Sequence, residues 1–366
     1  MIKPVVFQIS VVLAFWVDLY ASPTDSLPKK DSVKTCELHM GIEWYYSYNS
    51  LFSAGSELPL FVSFGHANEL NQNLIYAELK LNKGRFRSNF LPAVGTFMEQ
   101  NSKSEKGIFK NLLEANLGFR LFQNRNIWVD AGVLGSPYSN ESPFSKDQLV
   151  LTRSLSAEYV PYYLAGVRIS GVRNYRLNWQ VYLLNGWQQI TDINSSKSFG
   201  SKLEMLLNSK NKLTCNTYIG KEGTVGTANY GMRYFLDVYW SHDFSSQLSF
   251  ISCGYVGMQQ FGGQNRANWG QINGALRYST RKYGGISLRT EYYTDPKNVV
   301  VAPLQKNEGF NCFGFSLGYD YHLFETILFR FEYRRLDSKN GMLCSVPDGS
   351  IIPSLNLFTT ALTCWF

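Results

Sequence analysis

Residues able to act as a nucleophile or base are few in this 366-residue chain. Four histidines, His39, His66, His242 and His322, stand apart from one another, and none sits in a motif. A hydrolase needs a Ser/His or Asp/His arrangement around one of them, so the residues do not point to an enzyme. The six cysteines, Cys36, Cys215, Cys253, Cys312, Cys344 and Cys364, include no CxxC pair and so carry no zinc or thioredoxin signature. Neither a metal nor an organic cofactor is implied. What remains is a set of charged residues placed at every second position in apolar runs. Their chemistry is solvation: they offer charge to water along one face of a wall.

By strand parity that face carries Lys80, Arg120, Arg168, Arg176, Lys202, Arg233, Arg277, Arg289, Arg330 and Arg334. It also carries Glu78, Glu114, Asp130, Glu204, Asp237, Glu291, Asp320 and Glu332. In lipid an arginine would cost about 2–4 kcal/mol at mid-depth, so this face is expected to line a wet interior. Most of these groups read as solvated wall residues in mutual salt bridges. The slight excess of bases suggests weak anion preference at low salt.

The elements that position them are strands. In Asn311–His322, Phe313, Phe315, Leu317, Tyr319 and Tyr321 fall on one face, and Cys312, Gly314, Ser316, Gly318 and Asp320 on the other. That is period two, with one greasy and one wet side. Such segments recur sixteen times, approximately at 36–48, 72–82, 86–97, 110–123, 126–134, 161–171, 174–185, 198–208, 212–221, 229–242, 245–258, 268–279, 284–294, 310–322, 324–335 and 356–366. A tilted membrane strand needs about 9–11 residues, against about 5–6 in a typical soluble strand. Long and short connections alternate along the chain, as in a closed antiparallel transmembrane β-barrel with tight periplasmic turns and long external loops. An open sheet edge is not tolerated in hydrocarbon, so the strands must close. A barrel of 16–18 strands leaves an aqueous channel.

Composition agrees. Charged residues make up 17% and aromatics 15%, with 30 Gly. The +7 net charge is scattered rather than clustered, which argues against a nucleic-acid partner. Residues 1–21 read as a signal peptide: Lys3, then an apolar stretch from Val5 to Trp16, then Leu19-Tyr20-Ala21. Residues 22–35 read as a periplasmic lead-in and 36–366 as the barrel, in the bacterial outer membrane. The last strand ends on Phe366 with Cys364, Leu362 and Phe358 on its lipid face, which resembles the signal read by the barrel-assembly machinery. The aromatic pairs Trp44-Tyr45, Tyr162-Tyr163, Tyr292-Tyr293 and Trp365-Phe366 suit interface girdles, or else a sugar path.

The longest connection, 135–160, is the candidate constriction loop, with Glu141, Asp147 and Glu158 opposed by Lys146 and Arg153. Folded inward, its acids would meet Arg168, Arg176, Arg120 or their neighbours; folded outward, it would be a surface loop. The periplasm permits disulfides, and Cys36 and Cys344 are the first candidates, within the chain or to envelope neighbours. Free thiols throughout are the other reading. Tags near Asn101, Ser139 and Asn340 should be reachable on cells, and tags near Gly84 and Asn124 hidden.

Three stretches resemble the "Putative beta-barrel porin-2" family of OmpL-like outer-membrane porins. They are Ile127–Ser142 (IWVDAGVLGSPYSNES), Thr152–Ser170 (TRSLSAEYVPYYLAGVRIS) and Val181–Gly200 (VYLLNGWQQITDINSSKSFG). The most specific part is Asn185-Gly186-Trp187 followed by Asn194 and Lys197-Ser198. The resemblance implies an outer-membrane barrel and a pore; the opposed charges of the wall and loop suit small hydrophilic solutes, and a homo-oligomer is an open reading. The resemblance implies no catalytic residues. The six cysteines depart from ordinary porins, which have few or none. A surface structural protein or adhesin on a barrel scaffold is the alternative, since loops 49–71 and 336–355 are long.

Overall fold

A computed structural model of the chain describes residues 35–225, 227, 230–261, 265–280, 284–302, 309–341 and 343–366. The segments read as signal peptide and nearly all of the lead-in, 1–34, lie outside the described residues.

Sixteen antiparallel strands close into one barrel. In chain order the first eight are β1 (Thr35–Tyr48), β2 (Leu70–Lys83), β3 (Phe86–Val94), β4 (Leu112–Arg120), β5 (Ile127–Gly135), β6 (Tyr163–Arg173), β7 (Leu177–Leu184) and β8 (Ser198–Asn208). They are followed by β9 (Asn211–Glu222), β10 (Gly231–Asp243), β11 (Leu248–Gln260), β12 (Arg266–Thr280), β13 (Gly284–Asp295), β14 (Phe310–Phe324) and β15 (Ile327–Ser338). A small external hairpin, β16 (Cys344–Ser345) and β17 (Ile351–Ile352), precedes the closing strand β18 (Ser354–Trp365). Each barrel strand pairs with its sequence neighbour, and β1 pairs with β18 from Gly41↔Trp365 to Tyr48↔Phe358. Two further bonds extend this seam, Met40 N to Phe366 O at 3.2 Å and Phe366 N to Met40 O at 2.9 Å.

The side-chain period does what the sequence demands. On β14, Phe313, Leu317 and Tyr321 lie on the outer surface, while Cys312, Ser316 and Asp320 are buried inside. Period two also corrects the reading of the aromatic pairs. Neighbouring residues on a strand point to opposite faces, so Trp44 is exposed to lipid while Tyr45 is buried inward against Phe64, their rings 5.3 Å apart. Tyr293 likewise is buried, and Tyr162 and Tyr163 lie under loops. Only one member of a strand pair can serve a girdle.

Strand ends differ from expectation in two places with consequences. The third segment stops at Val94 because Gly95 takes φ 126° and starts the short helix α1, Thr96–Asn101. The seventh strand begins at Leu177, so Arg176 lies exposed in the tight turn after Arg173 and is not a wall residue. The turn residues Asn174 and Tyr175 take left-handed φ, which fits a tight two-sided turn rather than a strand.

The loops fill the outer half of the barrel. Phe52, Leu58 and Phe61 of loop 1 (49–69) pack with Leu134, Tyr138 and Leu155 and with inward residues such as Tyr255, Trp269 and Leu357. Two glycines stand at the base of the long loop 136–162. Gly132 on β5 and Gly166 on β6 are cross-strand partners with φ +130° and +154°. A Cβ would stand 2.2 Å from Ala115 O at the first and 2.1 Å from Leu183 O at the second. Only glycine permits that close approach.

Asn101 and Ser139 are buried, whereas Asn340 is exposed. The accessibility expectation is therefore revised. A tag after Asn340 should be reached by antibody on intact cells, and tags at Gly84, Asn124 and Ser139 should not. Surface labelling at Gly84 with none at Asn340 would invert the orientation.

Candidate functional site: a clamped loop inside a charged barrel

The loop 136–162 crosses the lumen and is held on many sides. Its backbone N–H groups meet wall carboxylates. Ser139 N donates to Asp237 at 2.9 Å, Thr152 N to Glu332 at 2.6 Å and Leu155 N to Glu291 at 2.6 Å. Its carbonyls meet wall guanidiniums. Arg334 Nη1 donates to Arg153 O at 2.6 Å, Arg289 to Thr152 O, Arg330 to Ser145 O and to Gln148 O, and Arg277 to Gln148 O at 3.4 Å. On the far side Ser145 Oγ bonds to Glu43 of β1, which also takes Asn73 Nδ2 at 2.6 Å.

The wall charges neutralise one another behind this contact. Arg289 lies 3.0 Å from Glu332 and 3.4 Å from Glu141 of the loop; Arg334 lies 2.6 Å from Glu291. Asp320 takes both Arg330 at 2.7 Å and Arg277 at 2.9 Å. Arg289, Arg330 and Arg334 are fully buried. Such pairs hold only with good geometry and further hydrogen bonds on the remaining donors, and the loop's carbonyls supply them.

The expected partners of the loop's acids are different in fact. Glu141 reaches Arg289; Asp147 pairs with Lys146 at 2.8 Å. Glu158 accepts from Val62 N, Ser63 Oγ and Tyr162 Oη at 2.8, 2.8 and 3.1 Å, so it ties loop 1 to the long loop. Burial holds its carboxyl above the usual range, against the pull of Arg153. None of the three meets Arg120, Arg168 or Arg176. Asp130 already engages Arg87 at 2.5 Å and Arg168 at 3.1 Å, and Arg120 lies over the Trp128 ring at 4.9 Å. Arg153 is buried between Phe97 and Tyr162, 4.5 and 4.3 Å from their centroids.

The periplasmic half is more open. Lys80 pairs with Glu78 at 2.9 Å, and Lys202 and Lys212 flank Glu204 at 3.1 and 4.0 Å. At the outer end of β10, by contrast, Arg233 sits between Trp187 and Trp269, 5.0 and 5.4 Å from the rings. Glu114 accepts from Asn89 and Asn116. Arg87, Glu43 and Lys212 were not among the sequence candidates. Parity could have found Arg87, since Phe86 and Phe90 beside it face lipid.

All six cysteines are free thiols. No two of them bond to each other, so a disulfide partner of Cys36 or Cys344 would have to come from another chain. Cys344 is buried, and burial pushes its thiol up to about 12; Cys36 is exposed at the foot of β1. Among the described residues no group of His, Cys, Asp and Glu could hold a metal ion.

Residues 38–366 match the family described as "Putative beta-barrel porin-2, OmpL-like". The chain belongs to that family. No curated protein matches it in sequence. Solved outer-membrane proteins share the fold at low identity. OmpT of Vibrio cholerae, in a trimer form, has TM-score 0.61 at 9% identity, covering 92% of this chain and 100% of its own. The channel DcaP of Acinetobacter baumannii has TM-score 0.60 at 11%, covering 91% and 97%. An anion-selective porin from Comamonas acidovorans has TM-score 0.60 at 10%, covering 91% and 100%. This OmpL-like protein is thus an integral outer-membrane porin, with the family and fold of a channel rather than of an enzyme.

Removing one clamp residue should free the loop. Arg289→Ala leaves Glu332 and Glu141 without their guanidinium, a loss of about 3–5 kcal/mol for a broken buried pair. We expect the barrel to stay heat-modifiable while trypsin gains cleavage after Arg153. Resistance equal to that of the unmodified protein would show the clamp to be dispensable.

Proposed function

We propose that this porin passes small hydrophilic solutes by diffusion, with a weak preference for anions, and that the loop 136–162 is its constriction. One observation carries the preference. In three wall ion pairs near the periplasmic strand ends the cation is the more exposed partner: side-chain exposure is 41% for Lys80 against 12% for Glu78, 28% for Arg87 against 0% for Asp130, and 42% for Lys212 against 17% for Glu204. A solute in the vestibule meets ammonium and guanidinium groups first. Arg289, Arg330 and Arg334 do not contribute, because they are buried beneath the loop. The field so made is screened as the Debye length falls from about 10 Å at 0.1 M to about 3 Å at 1 M salt.

Two contacts with the cell envelope belong to the same reading. Phe366, exposed at the foot of the closing strand, is the residue by which the assembly machinery would grip β18. Cys36, the exposed thiol, is the one placed to bond a neighbouring chain or envelope protein.

Deleting residues 138–148 removes the bonds to Asp237, Glu43 and Arg330 together. Single-channel conductance should rise while the barrel stays heat-modifiable; unchanged conductance would place the constriction elsewhere. The reversal potential in a salt gradient should favour anions at 0.1 M and approach neutrality at 1 M. Cation preference at low salt contradicts the reading. A folded protein that never conducts would favour the adhesin alternative. Non-reducing gels of freshly alkylated membranes should show a shifted band that Cys36→Ser abolishes; with no shift, Cys36 has no bonded partner.

A further inference from the structure

A cavity of about 500 Å³ lies between the loop segment Ser142–Asp147 and the wall of β2–β4. Its lower rim is formed by His39, Trp365 and Phe366, at the periplasmic ends of β1 and β18. The volume falls within the ~300–1,000 Å³ of small-molecule sites. Nothing in the diffusion reading requires such a chamber to be shaped.

Its walls combine two chemistries. The rings of Tyr76 and Phe144 stand 4.4 Å apart on one side. On the other, one amide joins two carboxylates: Asn89 Nδ2 donates to Glu78 Oε1 at 3.1 Å and to Glu114 Oε2 at 3.0 Å. Among the described residues Glu114 has no Lys or Arg in ion-pair contact, and its bonds come from Asn89 and Asn116. An ionised carboxylate has about four acceptor sites, so Glu114 can still accept from a ligand. Gly135 makes room for it: a Cβ there would stand 2.5 Å from Glu114 Oε1.

We infer that this cavity is a binding subsite for a small neutral sugar, a mono- or disaccharide, with Glu114 as its principal acceptor and Tyr76 and Phe144 as its apolar platform. The balance of charge selects a neutral occupant. Lys80 and Lys146 line the same space and disfavour a cation; Glu78, Glu114 and Asp147 disfavour an anion. A sugar suits both. Its hydroxyls donate to the carboxylates and accept from the ammonium groups, and its C–H face covers an aromatic ring. The site depends on the barrel and the inward loop, and not on the channel's conductance.

Isothermal titration of glucose and of maltose into the folded, detergent-solubilised protein tests this. Saturable binding of at least one sugar is expected. Glu114→Gln should weaken it about tenfold, the scale of one hydrogen bond to a charged group. Gly135→Ala should weaken it as well. That change keeps every charge and moves only the end of the Glu114 side chain, so it serves if Glu114→Gln folds poorly. Heat-modifiable protein that binds neither sugar overturns the inference. So does sugar binding unaffected by both variants, or binding of choline in place of a sugar. Single-channel recording keeps the two readings apart: a conducting pore that binds no sugar sinks the subsite alone, and sugar binding by a protein that never conducts sinks the diffusion pore alone.

Discussion

The seam between β1 and β18 is the constraint from which the rest follows. In hydrocarbon an unpaired backbone N–H or C=O costs several kcal/mol, so the first and last strands must find each other across the whole sequence. They do so from Met40 and Phe366 to Tyr48 and Phe358. Closure then divides every strand into two solvents. Phe313, Leu317 and Tyr321 go to lipid, and Cys312, Ser316 and Asp320 go inside. Charges such as Arg330 and Glu332 are tolerable only because closure has made an inside for them.

That inside is too wide to be filled by wall side chains, and the protein fills its outer half with loops. The price is a set of buried backbone groups that no strand partner serves. The wall answers with both signs of charge. Carboxylates of Asp237, Glu291 and Glu332 take the loop's N–H groups, and guanidiniums of Arg289, Arg330 and Arg334 take its carbonyls. Arginine suits this role better than lysine, because its planar fork can hold a carboxylate and a carbonyl at once.

The same economy separates two parts of the barrel wall. Behind the inward loop, on β13–β15, ion pairs are dry and structural. At the feet of β2, β3 and β9, Lys80, Arg87 and Lys212 keep their charged ends in water while their acid partners sit behind them. The counts of acids and bases along the strands do not reveal this division, since Arg289 and Lys80 look alike in a list.

The period-two pattern by itself determined the sixteen strands, their faces and the even closure. The physical reason is that a bilayer leaves a strand no alternative partner or face. Of the eighteen charges that parity assigned to the wet face, seventeen lie on barrel strands and only Arg176 falls in a turn. Parity could not see that Asn174 and Tyr175 take left-handed φ and end the strand there. The length of 135–160 marked the loop, and its charges suggested an inward fold, but not its partners. Those depend on which strands lie across the lumen: Asp130 had already claimed Arg87 and Arg168, and the loop meets β10, β12, β13 and β15 instead. Contacts between residues over a hundred positions apart, such as Thr152 with Glu332, are decided by barrel geometry, because no local preference links them.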